Sequence, residues 1–558
     1  MIAPTPSSGA QPAGGDAPDM AKLRQREARA WAERQKWDPA YNEAFRWVMP
    51  FRRSSASRTT ADLAHLLDPT AVTSTFNGAA RLHQDIFPPG QPFFRLQSGP
   101  LPKMFEDGTA EGKAAREAFD RQLAAIGDLV APFFATGEWD NAAAELFLDV
   151  YVGTGVMLIL PGDDDRPVRF HTLPLEQYAL EGGPFGDVTG LFWRVGMSRR
   201  NIRGAFPSGH FDDAFAKAEE EDPDGETELR QAFVFDLDKG GENGRWRFAA
   251  WLETQARDAV AVAHGRTRAK PFLSPRYWRL PGAVMGQGPA LFATPIAKTL
   301  NRTMELTLKS AAISMSGIWG YRPGGTFNPD TARLAPGAMW PMQSTGGIMG
   351  PDVARLDVAA GKFDVSNIVL QELRTQLQQV LHDERLPEAG ATPVSAAEVL
   401  ARMSRLKQNH VGAFGRLVSE IVPVAVPRVV EILHDRKLLT GDRLKIDQLL
   451  VSLDVVSPIA QAMKAARHDP TMQAIQIEVA VGGQPARRFN LDAMLAELFA
   501  DMGVPVKHLR DAQALAQFDA QAAQAAQAQA VMGAALNKPK DFAQALSPEQ
   551  TAAGPPPA

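Results

Sequence analysis

The spacing of apolar and polar positions divides the chain into helical, strand-rich and turn-rich stretches. Residues 20–50 (MAKLRQREARAWAERQKWDPAYNEAFRWVMP) carry helical periodicity with interleaved charges; Trp31, Trp37, Phe45 and Trp47 supply bulk and Pro50 stops the run. Thr73, Ser74 and Thr75 can cap a short helix starting near Phe76. Pro88-Pro89-Gly90 ends that helix, and PFFRLQ after it reads as a strand. Helix is predicted again over 109–151, from the exposed TAEGKAAREAFDRQLAAIGDLV to the more apolar AAAELFLDVYV. Between Gly153 and Glu253 the texture changes. VMLILPG, VRFHTLP, DVTGLFWRVGMS, QAFVFDLD and GRWRFAAWLE are strand-like and separated by Gly, Asp and Pro turns. The acidic stretch 212–228 (DDAFAKAEEEDPDGETE) interrupts them and is expected to be a solvated surface excursion.

Helical periodicity returns at 290–316 (ALFATPIAKTLNRTMELTLKSAAISMS). Lys298, Arg302, Glu305 and Lys309 follow an i, i+4, i+7, i+11 spacing, which puts all four on one face. Leu300, Met304, Leu308 and Ala311 lie on another, with Ile296 and Leu306 beside it, so one stripe should face solvent and the rest protein. Residues 317–365 are rich in Gly and Pro and carry Trp319, Tyr321, Phe327 and Trp340, a composition of short strands and tight turns. Helix resumes at Ser366-Asn367, a good N-cap pair. An antiparallel helix pair with a small module at its tip is the economical geometry for this order. After the loop PEAGATP (387–393), Ser395 and Glu398 form a capping-box pattern at the head of a long helix, which Pro423 and Pro427 should kink. Residues 444–515 read as short strands and helices. The Ala/Gln-rich run 512–535 reads either as a frayed low-complexity tail or as a helix packed against copies of itself.

Composition narrows the classes. At 558 residues the chain can bury a large core without staples. It has no cysteine, which removes disulfides, thiolate metal sites and cysteine nucleophiles. Lys and Arg total 59 against 64 Asp and Glu, a net charge of −5. A protein that wraps nucleic acid by bulk charge is normally basic, so any contact with DNA here must be local or weak. The Pro/Gly/Ser/Ala-rich segment 1–19 has no apolar run and is expected to be disordered, as is 536–558; neither a signal peptide nor a transmembrane helix is recognisable, which points to a cytoplasm-like setting.

Catalytic signatures are scarce. There is no P-loop and no nucleophile elbow. Gly153-Thr154-Gly155 and Gly286-Gln287-Gly288 both fail as dinucleotide fingerprints, because neither completes the third glycine and the first runs into a strand. The ten histidines are scattered, without H-x-x-x-H spacing. Asp163-Asp164-Asp165 could bind a divalent cation but reads more simply as a solvated hairpin turn. No catalytic residue, cofactor or metal is assigned.

Several stretches, taken in order, resemble the head-to-tail connector (portal) protein family of short-tailed bacteriophages. They are LDPTAVTSTFNGAARLHQDIFPPGQPFFRL (67–96), LFLDVYVGTGVMLIL (146–160), RYWRLPGAVMGQGPAL (276–291), TPVSAAEVLAR (392–402), VVSPIAQA (455–462) and the segment 492–510 ending MGVPVKHLR. The Thr-Ala start of the fourth is less regular than in the family. The resemblance spans roughly residues 25–520.

The resemblance implies an α+β, mainly helical fold with portal-type wing, stem, clip and crown. The wing would cover 20–285, the first stem helix 286–316, the clip 317–365 and the second stem helix 366–385. Residues 386–394 would form the tunnel loop, 395–454 the kinked helix and wing return, and 455–535 the crown. It also implies a ring, typically dodecameric, at one capsid vertex, not an enzyme. The ring would pass double-stranded DNA without regard to sequence and dock the terminase motor, tail adaptors, capsid and scaffold proteins. Lys298, Arg302 and Lys309 become candidates for the DNA-channel face. Glu388, Ala389, Gly390, Ala391 and Thr392 become candidates for the tunnel loop, and Trp319, Tyr321 and Trp340 for a clip interface. The alternative is a multidomain cytoplasmic, hydrolase-like enzyme whose site is built without local motifs.

Overall fold

The computed structural model describes residues 17–52, 63, 65–99, 110–236, 245–255, 260–316, 318–321, 353–356, 363–383, 396–439, 451–456 and 471–480, with scattered positions between 487 and 527. Residues 1–462 form one compact unit and 463–558 a second. In the second unit, the segment 471–480 is helical and mostly exposed, and residues 520–527 of the Ala/Gln-rich run are helical and exposed.

The predicted 20–50 run is two helices, α1 (Met20–Gln35) and α2 (Asp38–Trp47). The Asp19 carboxylate caps α1 by accepting from Lys22 N, and Pro39 sits in the first turn of α2, where its missing N–H costs nothing. Helix α3 (Thr70–Ile86) starts six residues before Phe76. Asp68 Oδ1 accepts from Thr70 N at 2.9 Å, so a carboxylate upstream serves the first turn. Thr73 and Thr75 lie inside the helix, their hydroxyls donating back to the carbonyls of Pro69 and Ala71. Strand β1 (Phe94–Ser98) follows the Pro-Pro-Gly turn.

Helices α4 (Ala110–Thr136) and α5 (Trp139–Val152) replace the single predicted run. The break is at Gly137-Glu138, where Glu138 takes a left-handed conformation (φ 63°). The five expected strands are present as β2 (Val156–Pro161), β3 (Val168–Leu173), β5 (Val188–Ser198), β6 (Glu226–Phe235) and β7 (Trp246–Leu252), and three that the pattern did not announce join them: β4 (Tyr178–Gly182), β8 (Ala263–Thr267) and β9 (Phe272–Leu273). They form two antiparallel sheets, β3-β2-β9 and β4-β5-β6-β7-β8. Val156 through Leu160 are all buried, because β2 is the middle strand of its sheet and both faces are covered. Two short helices, α6 (Arg199–Ala205) and α7 (Asp213–Glu221), cross between β5 and β6. The acidic excursion is therefore partly anchored: Phe215 of α7 is buried with Ile202 and Phe206.

Helix α8 (Pro289–Ser316) leads to β10 (Ile318–Tyr321), which pairs antiparallel with β11 (Val353–Leu356) ahead of α9 (Phe363–Val380). Helix α9 thus begins before Ser366-Asn367, since Phe363-Asp364-Val365 holds no breaker and an acid in the first turn favours the helix dipole. Helix α10 (Ala396–Asp435) runs unbroken through Pro423 and Pro427. Strand β12 (Val451–Val455) closes on β1. The main core joins α2, α3, α5, β2, β3 and the second half of α10 through Phe45, Leu82, Phe147, Ile159, Val422 and Val429, among others. The fold class is the expected one, α+β and mainly helical.

Candidate nucleic-acid interface

The charged stripe of α8 is where the spacing puts it. At about 100° per residue, Lys298, Arg302, Glu305 and Lys309 fall within a sector of about 60°. The cations are each paired. Lys298 Nζ donates to Glu43 Oε1 of α2 at 2.7 Å. Arg302 Nη1 donates to Glu305 Oε2 at 2.6 Å and Lys309 Nζ to Glu305 Oε1 at 2.5 Å. These two donors hold the Glu305 carboxyl below the usual carboxylate range. Three cations and two carboxylates leave the stripe a net charge of +1. Glu43 is a partner that no local pattern announces, since it lies 255 residues away in the chain.

The opposite face of α8 holds the helix in place. Ala290, Ala293, Ala297 and Leu300 are buried. Asn301 is buried too; its Oδ1 accepts from Leu67 N at 2.7 Å and Asp68 N at 3.0 Å, and its Nδ2 donates to Ala297 O. Asp68, fully buried, ties the same corner to α9 through Arg374 Nη2 at 2.7 Å. Burial alone would raise the Asp68 carboxyl, but the bonds from Thr70 and Arg374 outweigh it and leave it lowered. So α8, α9 and the start of α3 share one polar lock.

The expected division of α8 into one wet stripe and a protein-facing remainder holds only for its first half. Leu306 and Leu308, expected on or beside the protein face, are each about half exposed. The stripe separates them: they sit about 80° to either side of it. In the second half of the helix the neighbouring elements no longer reach these flanks of the single chain.

The two glycine motifs face each other. A Cβ on Gly286 would sit 2.5 Å from Gly153 O, and one on Gly153 would overlap Gly286 O. A Cβ on Gly288 would overlap Tyr151 O and lie 2.6 Å from its carbonyl carbon. The bonds that need this approach are Gly288 N to Val152 O, Tyr277 N to Gly153 O, Gly286 N to Thr154 Oγ1 and Tyr41 Oη to Gly286 O, all between 2.7 and 3.0 Å. Both Gly-x-Gly segments are thus a backbone-to-backbone seam that fixes the entry into α8. They are not a phosphate cradle.

A second anchor lies on α10. Glu420 Oε1 accepts from Arg276 Nη2 at 2.6 Å and Oε2 from Arg276 N at 2.8 Å. Eleven residues on, Glu431 accepts from the backbone N–H groups of Arg268 and Ala269. Arg428, buried, donates to Glu431 Oε2 at 2.7 Å.

Of the other candidate residues, Asp163 is spent on its own turn. Its Oδ1 accepts from Arg166 N at 2.9 Å and Oδ2 pairs with Arg169. Among the described residues no group of three or more His, Asp or Glu could hold a metal ion, and no helix is long and apolar enough to cross a membrane. Trp319 and Tyr321 lie in β10, opposite Arg355 and Val353, and their side chains lie outside the described residues. Trp340 and the loop residues Glu388, Ala389, Gly390, Ala391 and Thr392 also lie outside them.

Comparison with known proteins places this architecture. The comparison with curated proteins found no match. Among solved structures, a chain described as the virion of a native gene transfer agent particle is similar, at 12% identity and a TM-score of 0.35, over 76% of this chain and 92% of that one. The family described as bacteriophage head to tail connecting protein matches residues 20–509. That match takes in both sheets, the α8–β10–β11–α9 passage and the whole of α10, so the chain belongs to the bacteriophage head-to-tail connecting proteins, a structural family of the phage particle.

Proposed function

We propose that the chain is the portal subunit of its phage: a member of a closed ring, of the dodecameric type, at one capsid vertex. In this reading the ring's axial channel passes double-stranded DNA inward during packaging and outward during ejection. The ring assembles in the host cytoplasm with capsid and scaffold proteins. It then presents the β10–β11 module first to the terminase motor and later to tail adaptors. The observation that carries the reading is the neutralised stripe on α8, the first of two helices that flank a two-stranded module. A channel that moves DNA must not grip it. Each phosphate neutralised by a free cation adds a counterion-release term to binding, and several in a row would hold the duplex. Cations already engaged by Glu43 and Glu305 offer the duplex a weak, sequence-blind surface.

Two predictions test the stripe. Reversing charge in Lys298→Glu with Arg302→Glu should leave rings visible by negative-stain microscopy while packaged DNA per particle falls; packaging at the wild-type level would remove α8 from the channel wall. Glu305→Gln works in the opposite sense, since it releases Arg302 and Lys309. Purified rings of this variant should bind a short duplex more tightly in fluorescence anisotropy. The slope of log affinity against log salt should steepen by about 0.9 for every further phosphate engaged. An unchanged slope would mean that the stripe does not face DNA.

A further inference from the structure

Seven exposed apolar side chains of the first unit lie on or beside α8, on two sides of its charged stripe. One side is a shelf. Trp278 and Phe292 are both half exposed and meet edge to face, with ring centroids 5.4 Å apart. Leu280 is half exposed two residues beyond Trp278, and Phe185, at 90% exposure, tips the β4–β5 hairpin. The shelf is built on two hairpins that are tied together. Trp278 and Gln287 exchange both backbone hydrogen bonds, at 2.9 and 2.7 Å. Arg279 donates to Phe185 O at 3.2 Å, Arg276 donates to Gly186 O at 3.1 Å, and Val284 packs on Gly182. Gly186 has φ +77°, which holds the turn that projects Phe185. Arg276 is itself clamped by Glu420. An aromatic ring held out in water on a backbone this constrained leaves its apolar surface unburied, and the constraint is the kind that pre-organises a contact.

The shelf continues down α8. Phe292 and Leu306 lie within about 40° of each other around the helix, about 21 Å apart along it. On the far side of the charged stripe lies a different apolar surface: Leu308, and Leu67, whose backbone N–H is held by Asn301 of the same helix. A rotationally closed ring needs two unlike faces on every subunit, one for each neighbour. A twofold dimer needs only one self-complementary face. Two unlike apolar surfaces flanking one stripe match the first requirement.

We infer that the Phe185–Trp278–Leu280–Phe292 shelf is the face that receives the next copy of this chain, and that the Leu67–Leu308 side is the face that copy presents. The inference rests on the ring reading above and adds to it the identity of the two faces. The test uses full-length chains and light scattering after size exclusion. Trp278→Glu with Phe292→Glu removes one face; Leu67→Glu with Leu308→Glu removes the other. Each variant alone should run at the subunit mass of 60.5 kDa. Mixed, they retain one intact pair of faces and should give a species of about twice that mass, with no rings. Phe185→Ser, on a hairpin tip outside the core, should raise the concentration at which rings fall apart by about tenfold or more, a loss of about 1.4 kcal/mol per contact. Rings from either double variant, or no pairing in the mixture of two folded variants by circular dichroism, would overturn the assignment of faces. A wild-type chain that stays at the subunit mass would instead overturn the ring reading itself.

Discussion

Glu420→Ala should cost the chain about 3–5 kcal/mol, read as an earlier unfolding midpoint in urea or heat. Arg276 is 4% exposed, and its guanidinium and backbone N–H both donate to this one carboxylate. Removing the acceptor leaves a buried charge without its counter-charge, which is the expensive way to break such a pair. Glu420→Gln retains an acceptor and gives up only the charge, so its loss should be smaller, about 1–2 kcal/mol. Arg276→Met with Glu420→Met should recover part of the loss and not all of it. That double variant removes the charges but deprives the Gly186 and Val284 carbonyls of their donor. If Ala and Gln cost the same, the retained amide oxygen contributes nothing and loss of the charge alone accounts for the effect. The same substitution should weaken ring assembly, because Arg276 holds the turn that carries Phe185.

Gly288→Ala should be at least as damaging. The atoms a Cβ would meet are the carbonyl of Tyr151 and, at 2.8 Å, the carbonyl carbon of Val152; they are backbone and cannot rotate away. Relief requires opening the Gly288 N to Val152 O bond, with the start of α8 displaced from the end of α5. We expect a loss of about 3 kcal/mol or more, at the upper end for overpacking. Gly127→Ala is the matched control: it sits inside α4 with nothing within 4 Å of the added Cβ. There the better helix former should add about 0.5–1 kcal/mol. Equal effects at the two positions would mean that the glycine seam is not tight.

These residues show what was legible in the chain and what was not. Strands β2, β3, β5, β6 and β7 announced themselves because alternation and turn residues are local signals. The charged stripe of α8 was equally plain, because its four positions repeat at the helical period. The resemblance to connector proteins also came from ordered local stretches, and the family match over residues 20–509 bears it out. The Gly-x-Gly pairs were visible as motifs, yet their meaning was not. Each is explained by the other, more than 130 residues away. Glu43, Asn301, Asp68, Arg374 and Glu420 carried no signal at all, since a lone polar residue looks the same whether it ends in water or in a buried pair. The start of α3 was misplaced for a related reason. Thr73-Ser74-Thr75 is a capping sequence by composition, but Asp68 and Pro69 reach the first turn sooner, and the two threonine hydroxyls then bond back along the helix.

The spacing of the two carboxylates on α10 has a mechanical consequence. Glu420 and Glu431 stand about 16 Å apart along one helix and hold two stretches, at 276 and at 268–269, of the short link that runs from β8 through β9. A single pin would let the helix swivel under a load; two pins this far apart remove that hinge. Torque applied at one end of α10 therefore reaches the edge strand β8 as a lever arm would deliver it, with little lost to slack.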